Sequence, residues 1–119
     1  MKKIILLIGI VLWSCDSMEK ISAKDALLFL NDDKYFFLDV RTYSEHNTKS
    51  IPNTKCIPLN EVKQRLEELQ KYQNKKLIVY CRSGNRSKIA TEILKKNDFD
   101  AINLEGGINA WKGEVVYGK

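Results

Sequence analysis

The chain has one histidine, His46, among its 119 residues, and only three cysteines, Cys15, Cys56 and Cys81. No CxxC or HxxxH spacing occurs. The ligand clusters that build zinc sites are therefore missing, and no metal is expected. An odd number of cysteines at irregular spacing is a poor disulfide framework, so each has to be read separately. The apolar run Ile4 to Trp13 is ten residues long and broken by Gly9, short of the roughly 20 that a membrane-spanning helix needs. Internal repeats and low-complexity segments are absent. No stretch interleaves basic with aromatic residues. The surplus of 20 Lys+Arg over 15 Asp+Glu is small and dispersed, so nucleic acid is not an expected partner. A small positive surplus suits a small anionic substrate instead.

What is present describes an ordinary globular chain. Hydrophobic residues make up 44% and charged residues 29%, a balance that argues against disorder. The length is enough for one domain with one core.

The first fifteen residues stand apart. Met1-Lys2-Lys3 is a short positive segment, Ile4 to Trp13 is apolar without a polar face, and Leu12-Trp13-Ser14-Cys15 follows. Positive start, apolar middle and small residue before a boundary are the parts of an export signal. The last four residues resemble the lipobox of bacterial lipoproteins. That resemblance implies cleavage before Cys15, lipid attachment to its sulfur, and a membrane-anchored protein on the periplasmic or cell-surface side. Plain secretion is the alternative, with a buried first helix of the domain the third reading, disfavoured because the run has no polar face. The expected division is a signal peptide over 1–14, a linker over 15–20 and a domain over 21–119. Without Lys2 and Lys3, 18 basic residues face 15 acidic ones, a surplus of +3.

Beyond the linker, strand-like and helix-like segments alternate. Ile21 starts a brief strand. Ser22-Ala23-Lys24-Asp25 has the spacing of a helix cap, opening an apolar-faced helix through Leu30. Tyr35 to Val40 reads as a buried strand. Residues 41–54 are irregular, with a short helix near Tyr43–Asn47. Lys55-Cys56-Ile57 is a short strand halted by Pro58. Asn60 is expected to cap a helix carrying Val62, Leu66, Leu69 and Tyr72. Leu77 to Tyr80 is a continuous apolar strand. Ser87 to Lys96 is helical, with Ile89, Ala90, Ile93 and Leu94 on one face. Ala101 to Leu104 is a strand, Gly106-Gly107 a tight turn, and Ile108 to Lys112 a short helix. This alternation argues an α/β fold with a mostly parallel central sheet flanked by helices.

The chemistry concentrates in one loop. In open parallel sheets, ligands sit beyond the carboxyl ends of the strands. Cys81 follows the most apolar strand directly, and Cys81-Arg82-Ser83-Gly84-Asn85-Arg86 leads into a helix. A turn in front of a helix N-terminus gathers backbone N–H groups, which hold anions and favour thiolate over thiol. Gly84 permits the turn, and Arg82 and Arg86 add positive charge. A buried structural thiol beside an ordinary turn is the simpler alternative.

Cys81-Arg82-Ser83-Gly84-Asn85-Arg86-Ser87 resembles the active-site loop of the single-domain rhodaneses, thiosulfate sulfurtransferases. Three more segments agree in order and spacing. They are Phe37-Leu38-Asp39-Val40-Arg41 with Glu45, then Ile51-Pro52 with Ile57-Pro58-Leu59, and Leu104-Glu105-Gly106-Gly107-Ile108-Asn109-Ala110-Trp111. The resemblance covers about residues 21–112. It departs at Lys49-Ser50-Ile51-Pro52-Asn53-Thr54, where the family usually has Gly-His-Ile-Pro-Gly-Ala, which bears on the conformation of that loop. Cys56 stands where the family often has Asn.

The resemblance implies a rhodanese-like three-layer fold and ping-pong sulfur transfer through a Cys81 persulfide. Arg82, Ser83, Gly84, Asn85 and Arg86 would hold a small anionic sulfur donor. A thiol, cyanide or a reduced protein would be the acceptor, with no metal or organic cofactor. Asp39 is expected to orient the catalytic loop, and Arg41 to pair with a neighbouring carboxylate such as Glu45; a simple surface pair of Asp39 with Arg41 is the alternative. Trp111 is read as core, Cys56 as a buried inert thiol and His46 as solvent-facing. Two other classes share parts of the pattern. Phosphatases and arsenate reductases use a Cys-x5-Arg loop one residue longer than this one. Non-catalytic rhodanese-like binding modules usually lack the cysteine.

Overall fold

The computed structural model describes residues 19–118. The segment that carries the expected signal peptide and Cys15 lies outside them. In chain order the elements are β1 (Lys20–Ile21), α1 (Ala23–Leu27), β2 (Tyr35–Asp39), α2 (Tyr43–Thr48), β3 (Lys49–Ser50), β4 (Lys55–Cys56) and α3 (Leu59–Val62). A 3₁₀ stretch over Lys63–Tyr72 follows, then β5 (Lys76–Tyr80), α4 (Asn85–Lys96), β6 (Asp100–Leu104), α5 (Gly107–Ala110) and β7 (Val116–Tyr117). Among these, no helix is long and apolar enough to cross a membrane.

Five strands form one sheet in the order β1-β6-β5-β2-β4, every pair parallel. The expected α/β architecture with a parallel sheet between helical layers is therefore what the chain adopts. β5 lies in the middle, with Leu38 opposite Val79 on one side and Val79 opposite Asn103 on the other. Side chains alternate across a strand, so β5 feeds two cores. Leu77, Val79 and Cys81 join Leu38, Val62, Leu69, Ala90 and Leu94 under α3, the 3₁₀ stretch and α4. Ile78 and Tyr80 join Phe37, Ala26, Ile108 and Trp111 under α1 and α5. Fully burying one such aliphatic side chain stabilises the fold by about 1.5–3 kcal/mol. The run Leu77–Tyr80 is apolar throughout because both of its faces are covered. Trp111 meets Phe37 edge-on at 5.7 Å and is part of the core.

Several local expectations shift. α1 ends at Leu27, and i→i+3 turns carry the chain on through Leu30. The helix expected to start after Asn60 instead has Pro58 at its N-cap and includes Asn60. Proline already holds the φ that a helix entry needs and offers no N–H to satisfy. The continuation is 3₁₀ and is broken at Arg65 (φ −119°, ψ 24°). In α4 the buried residues are Ser87, Ala90, Thr91 and Leu94, while Ile89 is 50% exposed. The helix is rotated so that a polar residue, Ser87, faces inward. The two-stranded antiparallel pair β3–β7 joins segments 66 residues apart, Ser50 and Val116, and hydrophobic periodicity gave no sign of it.

The departing segment 49–54 keeps its course without glycines. Lys49 is extended (φ −161°) and needs none. Asn53 takes φ 60°, which asparagine tolerates better than most residues. Ser50 is buried with its hydroxyl unpartnered.

Candidate active site

Three elements converge on Cys81. β5 delivers it to the carboxyl edge of the sheet, where it is 1% exposed. The chain then turns through Gly84 (φ 114°), a conformation that side chains with a Cβ resist. That turn aims the Gly84 N–H at Cys81 Sγ from 3.1 Å. The first turn of α4 adds the Ser87 N–H at 3.4 Å and the Ser87 hydroxyl at 3.4 Å. Burial pushes the Cys81 thiol up. The hydrogen bonds from the Ser87 side chain and from the Ser87, Gly84 and Ser83 amides outweigh it and bring the thiol below its ordinary value.

The loop is held from behind by α5. The Ile108 and Asn109 N–H groups donate to the carbonyls of Cys81 and Arg82, at 2.9 and 3.1 Å. With those carbonyls turned outward, the loop amides are free to point at the sulfur. Gly106 (φ 80°) and Gly107 (φ 59°) permit the approach.

The predicted site residues divide into three groups. Ser83, Gly84 and Asn85 line a cleft of about 500 Å³ together with Lys88 and Asn103. Arg82 is exposed, and its side chain makes no ion pair or hydrogen bond among the described residues. Arg86 is bound to Glu45 of α2 through two contacts, at 2.8 and 3.1 Å. The same Glu45 carboxylate caps α2 by accepting from the Thr42 N–H at 3.0 Å. Arg86 holds Glu45 down to about 2. A depressed carboxylate contributes stability above its unfolded value and loses it as pH falls through about 2. The tie between α2 and the catalytic loop is therefore intact at neutral pH.

The expected partners of Asp39 and Arg41 need correction. Asp39 makes no hydrogen bond to the catalytic loop among the described residues. It binds Arg41 through the Arg41 N–H and guanidinium at 2.7–3.2 Å and lies 2.9 Å from His46 Nδ1. Arg41 thus pairs with Asp39 and with the Lys49 carbonyl, not with Glu45. A buried carboxylate takes the cation that can fork onto both its oxygens. His46 is buried rather than solvent-facing, because α2 lays it against Asp39. Cys56 is half-buried, and burial pushes its thiol up to about 12, which makes it a poor nucleophile. Asp39, His46 and Cys56 offer three ligand atoms within 4.8 Å of one another. The Arg41 guanidinium already holds both Asp39 oxygens, so a cation there would have to displace it.

Ser87, which touches the sulfur, and Asn103, which touches Ser87, were not among the predicted site residues. Ser87 had a signal, since it closes the loop motif. Asn103 had none, being 16 residues away on β6.

The Rhodanese-like domain model matches residues 22–114. The Bacillus subtilis protein YtwF, whose name calls it a sulfurtransferase, is 34% identical over 84 residues, covering 71% of this chain and 80% of its own. YrkF of the same organism, named as a sulfur carrier protein, is 36% identical over 86 residues. That match spans 71% of this chain and less than half, 45%, of the relative. A rhodanese-like domain protein from Staphylococcus aureus superposes with a TM-score of 0.76 at 32% identity, over 86% of this chain and 100% of the other. A loop of amides closed on a cysteine at the edge of a parallel sheet, a matched span of 93 residues and relatives of the same design lead to one assignment: the chain belongs to the rhodanese-like domain family.

Proposed function

We propose that this chain is a sulfurtransferase that carries one sulfur atom as a persulfide on Cys81. The observation that supports the reading is the convergence of the Gly84 N–H, the Ser87 N–H and the Ser87 hydroxyl on a single sulfur. In the proposed cycle the Cys81 thiolate attacks the outer sulfur of thiosulfate. The sulfur–sulfur bond of the donor breaks, and sulfite leaves with its electron pair. The new persulfide carries its charge on the terminal sulfur, within reach of the loop amides. An acceptor thiolate or cyanide then attacks that terminal sulfur and restores the Cys81 thiolate.

Four residues separate Cys81 from Arg86, and Arg86 is occupied by Glu45. Both features favour one incoming sulfur over a whole tetrahedral phosphate. Incubating the purified protein with thiosulfate and cyanide should yield thiocyanate, and intact mass after thiosulfate alone should rise by one sulfur. Neither product, with hydrolysis of a phosphate monoester instead, overturns the reading in favour of a phosphatase. Neither product and no hydrolysis leaves a binding module.

Among the described residues Arg82 is the arginine of the Cys81–Ser87 loop without a carboxylate partner, which supports assigning it to the donor. Arg82→Ala should raise KM for thiosulfate about tenfold, as loss of a charge-assisted contact does. The thermal midpoint should hardly move, because an exposed side chain without partners contributes within about 0.5 kcal/mol. A collapsed midpoint with normal activity per folded molecule would assign Arg82 to structure.

The place of action follows from Lys2-Lys3, the run Ile4 to Trp13 and Ser14-Cys15. These support export and lipid attachment at Cys15. Each buried CH₂ contributes about 0.8 kcal/mol, and a single acyl chain binds only marginally, so two or more are needed for stable anchoring. In a bacterial host the full chain should fractionate with membranes, and Cys15→Ala should shift to the soluble fraction. Equal partitioning of the two refutes lipidation.

A further inference from the structure

Ser87 has one hydroxyl proton and two claimants. Its Oγ lies 2.5 Å from Asn103 Oδ1 and 3.4 Å from Cys81 Sγ. The orientation of the amide decides the competition. Asn103 Nδ2 donates to the Gly84 carbonyl at 3.3 Å, and that carbonyl cannot donate back. Nδ2 must therefore face Gly84, and Oδ1 must face Ser87. An amide oxygen only accepts, so Ser87 is the donor in the short bond. While Cys81 is a thiol the proton is directed at Asn103 and Ser87 presents lone pairs to the sulfur; its donation to Sγ belongs to the thiolate. Lone pairs suit a thiol S–H and do not stabilise a thiolate. Ser87 is fully buried, and Asn103 is 7% exposed where it lines the cleft.

We propose that Asn103 is a positioning residue that draws the Ser87 proton away from Cys81 and so restrains the thiolate, releasing the proton to the sulfur only when Cys81 ionises. Asn103 acts through Ser87 and touches no reacting atom. The inference rests on the reading of Cys81 as the nucleophile. It adds a tuning element to it, since a thiolate of lower pKa is also a weaker nucleophile and the best attacking thiol has a pKa near the working pH. Other charged groups on the surrounding elements are Arg86 with Glu45, Asp39 with Arg41 and His46, Glu61 and Glu68 with Arg65, and Glu105 with Lys20. Arg82 in the loop, Lys88, Glu92, Lys95 and Lys96 along α4, and Asp100 with Lys76 at the start of β6 are further charges there. None is altered in the variants below.

The test is the pH profile of Cys81 alkylation by iodoacetamide on the full chain, read on the Cys81 peptide by mass spectrometry so that Cys15 and Cys56 do not contribute. Asn103→Val keeps a strand-forming residue on β6 and removes the acceptor. It should move the Cys81 inflection to lower pH by about half a unit, or about threefold more thiolate on the acidic limb. In a Ser87→Ala background the same substitution should leave the inflection where Ser87→Ala alone puts it. Asn103→Ala serves if the valine variant does not fold. An unmoved or raised inflection for Asn103→Val, or an equal shift in both backgrounds, overturns the proposal. If the inflections move as expected while no variant and no parent transfers sulfur, the sulfurtransferase reading fails and this one stands.

Discussion

Cys81→Ser should abolish sulfur transfer, with a fall of at least about a thousandfold, while the protein stays folded. The substitution changes one buried atom. The Gly84 and Ser87 donors would still find an acceptor, so the loop keeps its geometry. The chemistry does not survive, because those donors are matched to an anion and a serine hydroxyl does not ionise near neutral pH. Nothing in the site can take its proton. Among the described residues the groups that hydrogen-bond Cys81 Sγ come from Ser83, Gly84 and Ser87, none of them a base, and His46 is engaged with Asp39. Cys56 cannot stand in, since burial pushes its thiol up to about 12. Thiocyanate formation and the one-sulfur mass gain should both vanish. Transfer above roughly one per cent of the parent in Cys81→Ser, with Cys56 also replaced, would sink the persulfide mechanism.

Gly107→Ala should be the most damaging change outside the loop itself. A Cβ at Gly107 would lie 2.5 Å from both the Cys81 and Arg82 carbonyl oxygens, and the neighbours it meets are backbone, not flexible side-chain ends. The residue also sits at φ 59°, where an L side chain costs about 1–2 kcal/mol before any clash. To relieve the contact, α5 has to back away from the loop. That breaks the Ile108 and Asn109 bonds to Cys81 O and Arg82 O. Each broken bond leaves a carbonyl unsatisfied, at about 1–3 kcal/mol. The expected loss is about 3 kcal/mol or more, a fall of on the order of 10 °C in Tm for a domain of this size. Below the new midpoint, transfer should still be impaired, because the loop carbonyls no longer hold the amides toward the sulfur. A parent-like Tm with parent-like activity in Gly107→Ala would show that α5 does not brace the loop.

The expectation that failed most clearly was the set of partners around Asp39. The sequence offers Asp39, Arg41 and Glu45 within seven positions, and spacing alone does not choose between Asp39 and Glu45 as the partner of Arg41. Two facts of the fold redistribute them. Asp39 ends β2 with no exposure, so it needs a cation at once, and Arg41 lies two residues on. Glu45 projects from α2 toward a loop 41 residues later, where Arg86 waits. The spacing Thr42-x-x-Glu45 did carry a legible signal, that of a capping box. That spacing speaks for one duty of Glu45, the cap of α2, and is silent on the other. His46 was misplaced for a related reason. A lone histidine in an irregular segment reads as exposed, and only the docking of α2 against β2 buries it.

What the sequence determined by itself is what depends on local pattern. Continuous apolar runs marked the inner strands β2 and β5, because a strand covered on both faces has no polar alternation to show. The Cys81–Ser87 segment announced its turn and helix, because Gly84 and the residues after it carry the conformational preferences themselves. What only the tertiary structure decided is which distant groups share a polar contact. The parallel crossover from β5 through α4 to β6 sets Asn103 opposite Val79, within reach of Ser87 and Gly84. The turn after β6 likewise places the N–H groups of α5 on the loop carbonyls. Such contacts depend on strand register and helix rotation. Register is a collective result of how both cores fill, and no short window of residues encodes it.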